Sequence, residues 1–540
     1  MIIAKNITVS AVTGDKGLPT AVANRLGIDE NNIRDLKILK RSIDARKKSD
    51  VRFVYAVTFS AEDEHIIVLK NPASAAVYSP PRAYSFPYSG IETDMLPVIV
   101  GAGPAGLFAA LSLCEAGVRC VLLEQGAPVE DRVRDVERFW KDGVLNPTSN
   151  VQFGEGGAGT FSDGKLTTGI SDSRVSYALR RFVGFGAPED ILYLAKPHIG
   201  TDRLRGVVIS LREKLLSLGC DIRFGHRLTD IDVTDGKVRS ITASSPEWEY
   251  TLETPFLILA PGNSARDTFY MLEKRGVTLS SKPFSVGVRI EHLQKNIDRA
   301  QYGSAVSPSV LPTADYKLAV HLPNGRSVYT FCVCPGGTVV AAASEAGGVV
   351  TNGMSEYARA GKNINGGILV SVTPEDCGGE PLGGIALQRT LEKAAFEAGG
   401  GDYRAPAQLV GDFLSGNAST CHKSVKPSFT AGVKYTNLWE VLPQFVCEAI
   451  RDALPEMEKK VSGFSNPDAV LTAIETRSSC PIRINREDFK AVGIEGLYPC
   501  GEGAGYAGGI TSSVVDGIKC AEAVCQILAG GQLPQPARGI

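Results

Sequence analysis

The chain has 540 residues, 43% of them hydrophobic and 21% charged, with a net charge of −2. That is the composition of a globular protein too long for one simple core. No run approaches the roughly 20 apolar residues of a membrane span, and the N-terminal stretch MIIAKNITVSAVTGDKG lacks the charged, apolar and cleavage regions of a secretory signal. The 12 cysteines are scattered. The closest groupings, Cys332/Cys334 and Cys520/Cys525, match neither C-x-x-C redox spacing nor paired zinc knuckles. A cytoplasmic protein with reduced thiols and no metal is expected.

The first 75 residues read as a small basic α+β domain. Ile2–Val9 is strand-like, Pro19–Gly27 a short helix, and Ile33–Asp44 mixes strand and helix signals. Val51–Ser60 alternates as a strand, and His65–Leu69 could add another. Residues 1–90 carry a net +4, with eight basic side chains between Arg34 and Arg52 against three acids. A solvated helix face and loop explain most such runs; contact with RNA is the sharper alternative. Five prolines among the 27 residues of Asn71–Pro97 mark a linker, placed at 76–95, or an extended strap along the next domain.

From residue 96 to 283 strands and helices alternate, as a parallel sheet with crossovers requires. Apolar Leu96–Val100 leads into Gly101-x-Gly103-Pro104-Ala105-Gly106, then an apolar helix, then strand Val118–Leu123 ending at Glu124. Chance alone supplies roughly 0.7 G-x-G-x-x-G strings in a chain this rich in glycine. The pattern also occurs from Gly154 and from Gly503, so context must decide. Only Gly101 follows a strand and opens a helix with an acid 18 residues beyond Gly106. There Gly103 would let backbone meet a pyrophosphate, Gly106 would let helix pack on strand, and Glu124 would accept ribose hydroxyls. Arg132 is placed to reach a phosphate or ribityl oxygen. Further on, Gly206–Leu218 reads as a helix, Asp221–Phe224 as a strand, Leu228–Val233 with Lys237–Thr242 as a hairpin, and Phe256–Ala260 as a buried strand. Residues 284–486 turn β-rich and read as an inserted substrate domain, while 487–540 return to the first sheet and end in an apolar helix, Thr511–Leu528.

The order of these glycine-rich segments resembles the glutathione-reductase-type flavoprotein superfamily. More narrowly, the chain resembles a mostly uncharacterised bacterial family of FAD-dependent dehydrogenases. The resemblance is carried by RSIDARKK (41–48), SNVQFGEGGAGTFSDGKLTT (149–168), KPFSVGVRIEH (282–292), VVTNGMS (349–355) and ETRSSCPIRINR (475–486). It implies an α/β fold: a Rossmann-like FAD-binding domain with an inserted β-rich substrate domain and the small N-terminal domain. It implies FAD held by Gly101, Gly103, Pro104, Ala105, Gly106, Glu124, Gln125 and Arg132. The loop Gly156, Gly157, Ala158, Gly159, Thr160 with Lys165 would add to the cradle, as would Leu228 and the strand end Ala260, Pro261, Gly262. Gly501, Glu502, Gly508, Gly509 and Ile510 would complete it, with Glu502 standing where aspartate is usual. Three residues depart from the family pattern: Asn263 where histidine is expected, Leu293 for proline, and Cys480 for serine.

The expected function is a two-electron oxidoreductase passing hydride between flavin N5 and an unidentified small molecule in the crevice between the lobes. Arg289, Glu291, His292 and Arg477 are the candidate catalytic residues, with Arg483 as a further anion-binding arginine. No second dinucleotide fingerprint is found, so an external donor such as NAD(P)H would act without a domain of its own. An RNA-binding or RNA-modifying flavoprotein is the alternative, with a flavin monooxygenase ranked behind it.

Overall fold

The computed structural model describes residues 1–304 and 310–530. At the N-terminus four antiparallel strands lie side by side in the order Arg34–Asp44, Arg52–Ser60, Ile2–Ser10, Ala75–Val77. Helix Leu18–Leu26 packs on them, with proline in its first turn and left-handed Gly27 closing it. The mixed signals at 33–44 resolve as a strand because Arg34–Asp44 pairs along its length, with two register shifts, against the largely buried strand Arg52–Ser60. His65–Leu69 is a correction: Glu64–Lys70 is helical and buries only Ile67. The edge beside Ile2–Ala4 is taken instead by Ala75–Val77. The basic run lies on the outermost strand and the loop after it, not on a helix. Its Arg34, Arg41, Arg46 and Arg52 pair with Glu62, Asp15, Asp44 and Asp50.

From residue 78 the chain runs as a strap. Tyr84, Phe86, Tyr88 and Ile91 pack on the core of the next sheet. Tyr84 donates to Glu522 near the far end of the chain.

Five parallel strands form the nucleotide sheet, in the order Leu497–Pro499, Leu257–Leu259, Val98–Val100, Val121–Glu124, Asp221–Phe224. Each is short and almost all are buried on both faces, which is why they read as continuous apolar runs rather than alternating ones. Helices Pro104–Glu115 and Ile510–Leu528 pack together against one face. The expected hairpin is present as Arg227–Thr234 and Lys237–Ser244, joined by a third strand, Glu249–Glu253.

The second lobe is a seven-stranded sheet. Its order is Ala319–His321, Ser327–Cys334, Asn363–Val372, Phe284–Leu293, Val470–Glu475, Ala405–Leu409, Val433–Tyr435. Helices Gly383–Gly399 and Gln444–Glu458 cover it. The chain leaves the nucleotide sheet before Phe284 and returns through Ile482–Ile484, which pairs with Leu279–Ser281. Among the described residues no helix is long and apolar enough to cross a membrane.

Candidate functional site

The departure and the return meet at a cleft of about 370 Å³ between the lobes. Its floor is glycine backbone. Gly101 has φ 99°, and a Cβ on it would sit 2.1 Å from the Ala260 carbonyl oxygen, so the turn after Val100 admits no side chain. Gly103 faces Gly157 across the floor, close enough that a Cβ on Gly157 would lie 3.1 Å from the Gly103 Cα. Gly103 and Gly509 are the N-caps of the two long helices, neither start has a side-chain cap, and both glycines line the cleft. Two sets of unsatisfied N–H groups and two positive dipole ends therefore open into one cavity, an anion site by construction. A dinucleotide pyrophosphate fits that donor set.

Glu124 holds these segments in register. Its carboxylate accepts from the N–H groups of Ala102 (2.8 Å), Gly126 (2.9 Å) and Gly154 (3.0 Å). It also lines the cleft, which leaves acceptor capacity for a hydroxyl. Arg132 is a correction. It does not line the cleft; it is fully buried beneath the Gly154–Thr160 loop. Its guanidinium donates to the carbonyls of Asn150 (2.8 Å), Val151 (3.0 Å), Gly154 (3.2 Å), Glu155 (2.6 Å) and Gly157 (2.9 Å). Burial draws this guanidinium down to about 10, against the charges of Glu124 and Glu155. It shapes the loop rather than touching a phosphate.

Gly106, Gly156 and Thr160 also stand behind the wall. A Cβ on Gly106 would be 1.9 Å from the Gly101 oxygen, Gly156 packs on Thr160 and Val208, and the Thr160 hydroxyl donates to Glu155. The other cradle residues line the cleft: Pro104, Ala105, Gln125, Gly157 to Gly159, Lys165, Leu228, Ala260 to Gly262, Gly501, Glu502, and Gly508 to Ile510.

On the facing lobe the expected catalytic group is redistributed. Arg289 is wholly buried behind the cleft wall, bonded to Glu475 (3.0 Å), the Cys332 carbonyl (2.7 Å) and Asn365 (2.6 Å). Glu291 is spent on Ser428 and Asn363 away from the cleft, and burial raises its carboxyl. His292 donates from Nε2 to the Phe464 carbonyl at 2.8 Å, and burial pulls it down to about 4. None of these three lines the cleft. The reason is that Phe284–Leu293 is a central strand of the large sheet, so both of its faces are covered. Arg477 does line the cleft, anchored through Nη2 to Glu392 at 2.8 Å. Burial opposes the Glu392 charge, but Arg477 and Arg266 hold that carboxyl down at about 2. Arg483 lies over Tyr506, 5.1 Å from the ring centre.

Two carboxyls in the wall are poised differently. Burial outweighs Arg289 and pushes Glu475 up to about 7. Burial likewise raises Glu502 to about 7, against Lys282 and the 2.8 Å bond from Asn263. Asn263, noted as a departure, is thus a cleft residue that bridges Glu502 and the Arg477 carbonyl. Cys480 is buried with its thiol toward the Gly503 carbonyl. Glu475 was not singled out by the sequence, and Cys332 only as half of a close cysteine grouping that matches neither redox nor zinc spacing. Glu475 opens the string ETRSSCPIRINR, but nothing local shows that a strand end carries it into a cavity. Away from the cleft, Cys114, Cys120 and Cys220 come together in the nucleotide core, with successive sulfurs 3.6 Å apart.

This arrangement defines a mixed α/β dinucleotide-binding flavoprotein. Residues 92–135 match an FAD binding domain, and residues 283–478 match "FAD-dependent protein, C-terminal domain-like". Residues 1–60 match a domain of unknown function. An uncharacterized protein of Clostridium beijerinckii is 45% identical over 525 residues, covering 96% of this chain and 98% of its own. The chain belongs to the same family of FAD-dependent proteins, and FAD is its cofactor. A solved flavin-dependent brominase is similar with TM-score 0.37 and 13% identity over 81% of this chain and 79% of its own. A flavoprotein/dehydrogenase from Cytophaga hutchinsonii has TM-score 0.36 and 12% identity over 81% and 80%.

Proposed function

We propose that this FAD-dependent oxidoreductase is a dehydrogenase or reductase of the glutathione-reductase type, working on a small molecule held between the glycine floor and the large-sheet wall. FAD supplies two-electron hydride chemistry at its ring; the chain supplies position and protons. The observation that carries this reading is Glu475, a cleft carboxyl brought to about 7 by burial with Arg289 fixed behind it. A group that titrates near neutral pH is suited to exchange a proton with a substrate as hydride is taken or given. Arg289 is then a positioning residue. Lys165 and Arg477 face the same space and suit an anionic or enolate-forming substrate. The glycine-capped start of Ile510–Leu528 favours negative charge on the reduced ring.

The experiment is an anaerobic stopped-flow screen for compounds that bleach the bound flavin, followed by the pH profile of the best one. With Glu475 as base, the bleaching rate rises with pH through about 7. Glu475→Gln removes that inflection and slows bleaching by roughly 100-fold. Oxygen consumption with an oxygenated product would instead make the protein a monooxygenase. An unchanged pH profile in the variant would remove Glu475 from the chemistry.

A further inference from the structure

Opposite the glycine floor, the large sheet is broken. Strand Ser327–Cys334 pairs with Asn363–Val372 as far as Phe331↔Gly367 and resumes only at Cys334↔Asn365, leaving one extra residue on its side. Cys332 sits in that bulge with φ 41°, a conformation that L side chains rarely adopt. Bulges of this kind re-aim side chains beside active sites. Here the bulge puts Phe331 and Cys332 on the cleft wall while Cys334 stays buried behind them.

Cations gather on this short stretch. Arg289 Nη2 donates to the Cys332 carbonyl at 2.7 Å and lies 3.9 Å from the Cys334 sulfur. Lys165 donates to the intervening Val333 carbonyl. The Cys334 thiol turns toward the Cys332 carbonyl at 3.3 Å, and its proximity, with the charges of Lys165 and Arg289, draws the Cys332 thiol down against the opposing effect of burial. Glu475 shares Arg289 with them and is itself raised. One half-buried thiol on the cleft wall, flanked by two cations and backed by a second thiol and a proton acceptor, is the equipment of a redox couple rather than of a packed core.

We propose that Cys332 and Cys334 are a redox pair that exchanges two electrons with FAD across the cleft. Residues i and i+2 of a flat strand lie roughly 6.6 Å apart and point the same way. That is the upper end of what a disulfide spans, and the left-handed kink at Cys332 departs from the flat geometry. On oxidation an S–S bond forms and the two thiols lose two electrons and two protons. The electrons and one proton go to oxidised flavin, and the other proton goes to Glu475. Reversal reduces the disulfide. A bond closed within three residues is strained and therefore readily reduced. The inference deepens the oxidoreductase reading and rests on it for the flavin partner alone.

The test uses the full-length holoprotein. Trypsin leaves one peptide, Ser327–Arg359, that carries Cys332 and Cys334 and no other cysteine. After diamide oxidation and alkylation under denaturing conditions, that peptide is expected two hydrogens lighter and free of alkyl groups. Anaerobic dithionite titration of the oxidised holoprotein should consume four electrons per FAD, and Cys334→Ser should consume two. Should Cys334→Ser not fold, Cys332→Ser, whose side chain faces the cleft, gives the same reading. A doubly alkylated peptide after diamide, or a two-electron titration of the oxidised wild type, overturns the pair. A colourless protein that still closes the disulfide faults the oxidoreductase reading, and the exchange with flavin falls with it.

Discussion

Gly103 and Gly106 belong to one motif yet answer to different constraints. A Cβ at Gly103 meets only the Gly157 Cα at 3.8 Å, so the fold tolerates a side chain there, but that side chain enters the cleft. A Cβ at Gly106 runs into the Gly101 oxygen at 1.9 Å. Gly103→Val is therefore expected to fold with near-normal Tm and lose FAD affinity by roughly 100-fold or more, read by flavin retention on gel filtration. Gly106→Ala should lose about 3 kcal/mol of stability, read by urea unfolding of the apoprotein. Equal effects of the two would contradict the division between floor and packing. Glu502 gives a pH signature of its own. Its carboxyl is raised to about 7 from 4.5, so the folded state binds the extra proton between those values. Its stability contribution is complete below 4.5 and is lost as pH rises through 7. The apoprotein should lose Tm relative to Glu502→Gln between pH 5 and pH 8.

At the scale of elements, the Gly154–Thr160 loop shows why a glycine run need not be a flexible one. Arg132 satisfies five of the carbonyls in and before it, and Glu124 fixes its first N–H. A lysine offers one ammonium in place of a planar fork and cannot reach them all. Arg132→Lys should lose about 3 kcal/mol and most of the bound flavin, whereas a direct phosphate contact would be partly kept by lysine. A variant with normal Tm and weakened FAD binding alone would restore the phosphate role. The misread elements share a cause. Phe284–Leu293 alternates in sequence as a half-buried strand would, but neighbours on both sides and coverings on both faces bury nine of its ten residues. His65–Leu69 is apolar enough for a strand, but the sheet edge it would need is occupied.

For the whole molecule, the path of the chain decides what can be removed. The N-terminal sheet has a core of its own onto which Leu311, Tyr302 and Val310 pack, and Arg41 pairs backbone to backbone with Tyr193 and Ala195. No cleft residue lies before Val100. Deleting 1–77 should leave a yellow, folded protein; extending the deletion through 91 strips Tyr84, Phe86, Tyr88 and Ile91 from the nucleotide core and should lower the Tm sharply. Loss of flavin from the shorter truncation, measured at 450 nm or so in the visible spectrum, would show that the N-terminal domain supports the cleft. The sequence by itself determined the cofactor floor, because a tight turn, a close backbone approach and a helix start are local demands that glycine meets within a few residues. Of the wall, the sequence marked Arg477 and Asn263, but its chemistry was decided by tertiary structure. Glu475, Cys332 and Asn263 come from three distant stretches, and their chemistry arises from burial and from Arg289, Lys165 and Glu502 beside them. Only the folded sheets bring those neighbours close enough to act.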